Sequence, residues 1–185
     1  MELYFLSAVA VPRLDKTVKL PGSSFYIRPV QPGEETNVLA VYRQCEDFLA
    51  LGPAPASIEM VRADLALSQQ EGGLFCGIYR RADGELLGII DFVAEGWRGD
   101  PSLAFLALLM IAAPHRACGL GAEVVRLVEA EITRSDRVRV IQSGVQVNNP
   151  GAIRFWQHRG YQIVSGAEAM SDGTTAYQLE KVISE

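Results

Sequence analysis

The chain has 185 residues with a formal net charge of −5, and 49% of its residues are hydrophobic. That length and composition suit one globular domain with a sizeable core and exclude the intrinsically disordered class. The negative charge argues against a nucleic-acid-binding surface, and no apolar run reaches the roughly 20 residues that a membrane-spanning helix needs. We therefore expect neither nucleic acid nor a membrane as a partner.

The three cysteines, Cys45, Cys76 and Cys118, bear on the compartment and on metal binding. An odd number of cysteines without paired spacing predicts reduced thiols and a cytoplasmic protein. No CxxC pair or cysteine–histidine cluster has the spacing of a zinc site, so we expect no metal.

The first 24 residues differ from the rest of the chain. Met1–Val11 is apolar but has Glu2 where a signal peptide would carry positive charge, which favours an N-terminal arm or an additional strand. Leu14–Ser24 contains Pro21 and Gly22 and is typical of a connector. We divide the chain into an arm at residues 1–24 and one domain at residues 25–185.

Apolar periodicity predicts alternating strands and helices in that domain. Ser57 has the position of an N-cap, and Asp83–Gly84 is a strong hairpin signal. In chain order we expect a strand at Phe25–Val30, helices at Glu35–Leu51 and Ser57–Gln70, strands at Leu74–Arg80, Leu86–Glu95 and Ser102–Ala113, a helix from Gly119, a strand at Val138–Val147, a helix from Asn149, and strands at Tyr161–Ser165 and Thr175–Val182. Hairpins combined with β-α-β crossovers predict an α/β fold, with a central mixed sheet flanked by about four helices on both faces.

Two of these strands have unusual patterns. Ser102–Ala113 is continuously apolar, which predicts a strand buried on both faces. In Val138–Val147 the apolar residues change from even to odd numbers, which predicts a bulge or bend near Gly144.

A glycine-rich turn, Arg116–Ala122, follows the apolar strand and opens the next helix. The first amides of a helix have no internal partner, and the helix dipole places partial positive charge on them. A diphosphate binds naturally at such an end, and glycine lets the backbone come close to it. The turn is therefore a candidate phosphate site.

Two familiar phosphate motifs do not match this turn. A P-loop needs Gly-Lys-Ser/Thr at the helix start, where this chain has Gly121–Ala122–Glu123. A dinucleotide fingerprint fits Gly119 and Gly121 but requires glycine or alanine where Val124 stands.

Two spaced motifs resemble those of the GCN5-related N-acetyltransferase (GNAT) family. Arg116-x-x-Gly119-x-Gly121-Ala122 resembles its Arg/Gln-x-x-Gly-x-Gly/Ala signature. Asn149-x-x-Ala152-x-x-x-Trp156-x-x-x-Gly160-Tyr161 is similar to its later motif, which usually has tyrosine and phenylalanine where this chain has Trp156 and Tyr161. The resemblance extends over roughly Phe25 to Lys181 and implies the GNAT acyl-CoA N-acyltransferase fold.

The resemblance implies an N-acetyltransferase that uses acetyl-CoA and acetylates an amine of a small molecule or protein, and it allows a homodimer. Backbone amides of Arg116, Ala117, Cys118, Gly119, Leu120, Gly121 and Ala122 would hold the pyrophosphate, and the backbone of Met110, Ile111 and Ala112 would bind the pantetheine arm. Asn149 would contact pantetheine or serve only as a helix cap. The Arg116 side chain would pair with phosphate or cap the turn.

The chain departs from the family pattern at its expected acid and base. Trp156 replaces the tyrosine that protonates the leaving thiolate, and its indole is too weak an acid for that role, so we expect it to form a wall of the pantetheine groove. Ala107 stands where many relatives carry glutamate. Asp91 and Glu95 remain as candidate bases, and their shared parity predicts that they face the same side of the sheet. Burial within an apolar strand would raise the pKa of Asp91 toward a value useful for a base. The alternative is that Asp91 is a structural carboxylate. These departures leave open an alternative, a CoA-binding module without transfer activity.

Overall fold

The structure is a computed structural model that describes residues 19–49, 55–170 and 173–183. Several predictions lie outside these residues: those for residues 1–18, which include Met1–Val11, the end of the first predicted helix beyond residue 49, and most of the turn before the last strand. None of the helices among the described residues is long and apolar enough to cross a membrane.

The described residues form nine strands, four α-helices of nine residues or more, one shorter α-helix and two 3-10 helices at Trp97–Gly99 and Ala113–His115. The strands are β1 (Leu20–Pro21), β2 (Phe25–Pro29), β3 (Leu74–Arg80), β4 (Leu86–Val93), β5 (Leu103–Ile111), β6 (Val140–Gln146), β7 (Gln162–Ile163), β8 (Glu168–Ala169) and β9 (Thr175–Val182). The helices are α1 (Glu35–Arg43), α2 (Glu46–Leu49), α3 (Ile58–Gln70), α4 (Leu120–Ile132) and α5 (Pro150–His158).

All nine strands belong to one mixed sheet, in the order β1-β2-β3-β4-β5-β6-β9-β7, with β8 also paired to β9. The pairing is antiparallel except between β5 and β6, which are parallel and joined through α4. The predicted mixed sheet is confirmed. Of the segment predicted as an arm or additional strand, residues 19–24 are described, and Leu20–Pro21 forms the edge strand β1 beside β2.

Helices cover both faces of the sheet, because each helix buries one apolar stripe. On one face, Val38 and Tyr42 of α1 and Val61 of α3 pack with Ile89 and Met110. On the other face, the cluster that includes α4 and α5 contains Val124, Val128, Ile132, Trp156, Ile90 and Leu106. Burial of such side chains stabilises the fold by about 1.5–3 kcal/mol each.

The first predicted helix is interrupted, whereas the second begins where its cap indicates. Ser57 Oγ accepts a hydrogen bond from the Met60 amide at 3.1 Å and caps α3 as predicted. The helix predicted at Glu35–Leu51 ends at Arg43 and resumes at Glu46. The chain turns at Gln44–Cys45, where the Cys45 thiol is buried and donates to the Ile111 carbonyl. The helical spacing of apolar residues cannot predict this long-range contact.

The bulge predicted near Gly144 is wrong, and the irregularity lies in β5 instead. The register of β6 with β9 is unbroken from Val140 to Gln146. Between β4 and β5, Asp91 is opposite Leu108 while Phe92 is opposite Leu106, so Ala107 is the extra residue of a bulge. The apparent change of parity arose because Val138 is buried in the loop before β6, outside the alternation of the strand.

The prediction that the β5 strand is buried on both faces is also only partly correct. Ala104 and Leu106 are buried, whereas Ala107 is exposed and its two successors are half-buried. The pairing with β6 stops at Leu106, so the second half of β5 has no neighbouring strand on that side.

Candidate cofactor and active site

A gap opens in the middle of the sheet, between the C-terminal halves of β5 and β6. The two strands pair only from Leu103 opposite Val140 to Leu106 opposite Ser143. At this last pair the Ser143 hydroxyl donates to the Leu106 carbonyl at 2.8 Å, inside the core. The bulge at Ala107 follows directly and marks the start of the gap.

Alternation along β5 decides which backbone groups face the gap. The Ala112 amide donates to the Leu87 carbonyl at 2.9 Å, on the β4 side. The backbone groups of alternate residues in a strand point to the same side, so those of Met110 also point toward β4. Those of Leu109 and Ile111 point into the gap. Of the three residues predicted to bind pantetheine, only Ile111 therefore offers its amide there. Leu109 does so too, and sequence periodicity could not reveal it because the bulge reverses the parity.

The turn before α4 adopts two left-handed backbone conformations. Gly119, the N-cap residue, has φ +85°, a conformation that glycine adopts without strain. Ala117 has φ +58°, which costs a residue with a Cβ atom about 1–2 kcal/mol. Alternation of this kind turns successive backbone amides outward and forms an anion-binding concavity.

Six consecutive amides, those of Ala117 through Ala122, have no hydrogen-bond acceptor in the described part of the chain. The first bonded amide of α4 belongs to Glu123, which donates to the Gly119 carbonyl at 3.1 Å. Ala117, Cys118 and Gly119 are exposed, and Leu120, Gly121 and Ala122 are partly buried. Together with the positive end of the helix dipole, these donors form a strong site for an anion.

Gly121 leaves space that the packing of the protein does not need. A Cβ atom there would lie 3.6 Å from Ile111 Cγ1 and 3.7 Å from Phe155 Cε2, which are ordinary van der Waals distances. The absence of a side chain therefore keeps the approach to the amides open from outside. Phe155, half-buried beside this approach, is a candidate wall residue that sequence analysis missed, although it directly precedes Trp156 in the motif.

The Arg116 side chain braces the turn. Its Nε donates to the Ile111 carbonyl at 2.7 Å, and its other nitrogens contact Asp47 at 2.5 Å and the Gln44 carbonyl at 3.3 Å. The guanidinium thus joins β5 to the connection between α1 and α2. These contacts support the structural role of Arg116 rather than a phosphate contact. The neighbouring Cys118 thiol donates to the His115 carbonyl at 3.0 Å.

Asn149 and Trp156 both have structural partners. The Asn149 side chain accepts from the Ala152 amide at 2.9 Å and so caps α5, the role that was one of its two alternatives. Trp156 is 6% exposed and packs edge-on against Phe155 and Tyr161. That burial places the indole in the core and leaves little of it to line a groove, contrary to its expected position.

Tyr161 is also buried, so it offers no substitute for the missing acid. Its hydroxyl donates to Glu129 Oε1 at 2.9 Å. Desolvation, reinforced by the nearby Glu129 carboxylate, raises the pKa of Tyr161 above its ordinary value.

Asp91 is buried under α3. Its Oδ1 accepts from the Ser68 hydroxyl at 2.6 Å, and the carboxyl is on the α1–α3 side of the sheet. Desolvation raises the pKa of Asp91 to about 6, which the Ser68 bond partly offsets. This pKa would suit a general base, but the contacts place Asp91 beneath a helix and support the structural alternative.

Glu95, the other candidate base, is engaged elsewhere. It lies beyond the end of β4, where Arg137 forms an ion pair with it and Ser135 donates to it. Those partners follow α4, whereas the partner of Asp91 is on α3. Shared parity therefore does not bring the two carboxylates to a common partner, because Glu95 is outside the strand.

A cleft lies on the face of β5, β6 and β9 opposite α4 and α5, which we call the open face. Phe105 stacks on Trp97 with ring centroids 4.2 Å apart and an angle of 6° between the planes. Gln142 and Gln178 both donate to Glu180 Oε1, at 2.8 and 3.2 Å. No sequence motif identifies these residues, apart from a tryptophan within a glycine-flanked loop.

The elements that form this site match a known protein family. The model of the Acetyltransferase (GNAT) family matches residues 41–161, which is more than half of the chain and extends from the end of α1 to Tyr161. The chain belongs to the GNAT acetyltransferase family. The family assignment made from the two motifs is thereby confirmed.

Solved structures show that the GNAT fold extends over most of this chain. An acetyltransferase from Thermus thermophilus is 21% identical with a TM-score of 0.69, covering 90% of this chain and 100% of that one. An acetyl transferase from Salmonella typhimurium that modifies the N-terminal serine of ribosomal protein L7/L12 is 10% identical with a TM-score of 0.71, covering 90% and 100%. RimL, a ribosomal L7/L12 alpha-N-protein acetyltransferase in complex with coenzyme A, is 13% identical with a TM-score of 0.70, covering 90% and 98%. No curated protein matches this GNAT chain significantly.

Proposed function

We propose that this protein transfers the acetyl group of acetyl-CoA to an amine by direct attack. The observation that carries the proposal is the row of six outward amides, Ala117–Ala122, at the start of α4. A pyrophosphate accepts hydrogen bonds from such amides and is attracted by the helix dipole. Membership of the GNAT family supports the same cofactor.

The gap between β5 and β6 suits the pantetheine arm of the cofactor. The arm carries amide groups that can pair with the backbone of Leu109 and with the Ile111 amide, since the Ile111 carbonyl already accepts from Cys45 and Arg116. Phe155 and Ile111 flank the approach at Gly121 and offer apolar contact. An arm bound in this way carries the thioester along the gap toward the bulge at Ala107.

The transfer requires a neutral amine and a place for two protons. The amine nitrogen forms a bond to the acetyl carbon, the carbon–sulfur bond breaks, and the products are an N-acetyl amide and free CoA thiol. One proton leaves the substrate ammonium before attack. The other leaves the nitrogen afterwards and neutralises the thiolate. Outward backbone amides of β5 would stabilise the negative charge that develops on the carbonyl oxygen.

Titration calorimetry with CoA tests the cofactor site, using Gly121→Glu as the variant. The Cβ atom has room, so the fold is retained, but the carboxylate enters the phosphate approach and repels the ligand. We expect affinity for CoA to fall by about 100-fold or more. Gly166→Glu is the matched control, since its position is also open and it lies far along the chain from the turn. Equal affinity of the Gly121→Glu variant and the wild type would refute the site.

A CoA-binding module without transfer activity is the second candidate. It is favoured by the burial of Trp156 at the usual tyrosine position and by Ala107 at the usual glutamate position. Release of free thiol from acetyl-CoA, measured across a library of small-molecule and peptide amines, separates the two. Thiol release that depends on the amine supports the transferase, while tight CoA binding without release on any amine supports the module.

A further inference from the structure

The cleft on the open face meets the gap in the sheet. Ser143 and Gly144 line the cleft, and Ser143 also forms the last pair of β6 with β5. Gly144 is exposed and offers no side chain that would separate the two spaces. An amine lying in this cleft therefore approaches the gap from the face opposite α4.

Arg98 lies on one wall of the cleft in a strained conformation. Its backbone has φ 54° and ψ 26°, which costs a non-glycine residue about 1–2 kcal/mol. The side chain is exposed, and its guanidinium lies 5.5 Å from the centre of the Trp97 ring. Within the described residues, no carboxylate forms an ion pair with Arg98. The strain thus presents a cation at the cleft without a protein anion to neutralise it.

A residue of opposite charge lines the same cleft. Glu168 of β8 also lines it, and no described cation forms an ion pair with this residue either. The stacked rings of Trp97 and Phe105 provide flat apolar surface within the same cleft. The site therefore combines a guanidinium, a carboxylate and an aromatic wall.

We propose that the acceptor is a small amine that also carries a carboxylate, as an amino acid does. Arg98 binds the carboxylate by a charge-assisted pair, Glu168 attracts the ammonium form of the amine, and the Trp97–Phe105 stack contacts the body of the molecule. A polycation is disfavoured because Arg98 repels it. A protein N-terminus is disfavoured because it lacks a carboxylate fixed next to its amine. This inference rests on the proposed acetyl transfer.

Matched acceptors test the inference with saturating acetyl-CoA. Common amino acids are compared with their amides and with the corresponding decarboxylated amines; the amide has a more acidic ammonium group and the decarboxylated amine a less acidic one, so the two analogues bracket the amine chemistry. We expect kcat/KM, measured by thiol release, to favour the amino acid by about tenfold or more over both analogues. Equal or better transfer to the analogues would overturn the inference.

Arg98→Gln then assigns the preference to this residue. The variant should raise KM for amino acids by about tenfold, leave KM for their amides unchanged and bind CoA like the wild type. Arg126→Gln, which removes an exposed arginine from α4, is the matched control and should change neither value. An equal effect of Arg98→Gln on amino acids and amides would contradict the carboxylate contact. Thiol release from no amine at all would refute the proposed function, whereas release without carboxylate preference refutes only this inference.

Discussion

At the scale of single residues, Asp91 is a buried carboxyl on β4, near the centre of the sheet. It is 8% exposed and accepts a hydrogen bond from the Ser68 hydroxyl at 2.6 Å. Burial disfavours its charged form and raises its pKa to about 6. Because this value is above the ordinary pKa of an unfolded aspartate, the folded state binds the proton more tightly than the unfolded state.

The sign of the resulting pH dependence is fixed. The contribution of Asp91 to folding stability is fully present below its unfolded pKa near 4 and is lost as the pH rises through about 6. Compared with Asp91→Asn, which can still accept from Ser68, the wild type should lose at most about 3 kcal/mol of unfolding free energy between pH 4 and 7. Denaturant unfolding of both proteins at several pH values measures the difference. Parallel stability curves would contradict this pH dependence.

Residue roles were predictable where chemistry is local and unpredictable where a distant partner decides. The turn at Gly119 follows from its sequence, because glycine adopts the left-handed conformation found there. The bracing role of Arg116 depends on Asp47, which is far away along the chain, and the partner of Glu95 lies beyond α4. No pattern within one segment indicates such partners.

At the scale of elements, the N-cap of α5 shows how one motif residue can serve both structure and ligand binding. Asn149 caps α5 with its side-chain oxygen, which leaves its amide nitrogen as the atom that would contact pantetheine. The structure establishes the cap, while the ligand contact stays a prediction. The two roles can be separated because they need different atoms of the side chain.

Two substitutions at Asn149 make that separation. Asn149→Ala removes the cap and should lower the unfolding free energy by about 1 kcal/mol. Asn149→Asp keeps the capping oxygen and should retain stability. If the amide nitrogen donates to pantetheine, Asn149→Asp should weaken CoA binding severalfold at unchanged stability. Thermal unfolding and CoA titration of both variants measure this, and full affinity of Asn149→Asp would limit the residue to capping.

Element order was more predictable than element geometry. Hairpin signals and apolar runs gave strands and helices in the observed order, and the mixed sheet followed from that order. The bulge at Ala107 was not predictable, because a continuously apolar strand has no alternation to disturb. That bulge also determines which amides face the gap, so the orientation of the β5 backbone at the candidate site could not be predicted from the sequence.

At the scale of the whole molecule, Arg116 connects the turn before α4 to the segment between α1 and α2. Its guanidinium links the end of β5 to Gln44 and Asp47, near the helices that cover the α1–α3 face. We therefore expect a ligand that fixes the turn to restrain the connection between α1 and α2 as well. The two regions should respond together when this link is removed.

A double-mutant cycle tests the link. Arg116→Gln should lower the unfolding free energy by about 1–2 kcal/mol and weaken CoA binding severalfold, because one glutamine cannot reach all three partners. If the residue acts through Asp47, adding Asp47→Asn should cause little further loss. CoA titration and denaturant unfolding are measured for the wild type, the two single variants and the double variant, which together complete the cycle. Unchanged affinity in Asp47→Asn, with a large loss in Arg116→Gln alone, would indicate direct phosphate contact instead.

The extra residue in β5 also has a genetic consequence. Before Ala107 the even-numbered residues Ala104 and Leu106 face α4, whereas after it the odd-numbered residues Leu109 and Ile111 pack against that cluster. Loss of the single codon for Ala107 would leave the composition of the chain almost unchanged. Each later residue of the strand would nevertheless keep its present face, because Leu108 would follow Leu106 in a regular alternation and only the bulge would be lost. An in-frame deletion at this codon therefore straightens β5 where the gap begins without reversing its faces, whereas insertion of one more residue there would exchange them.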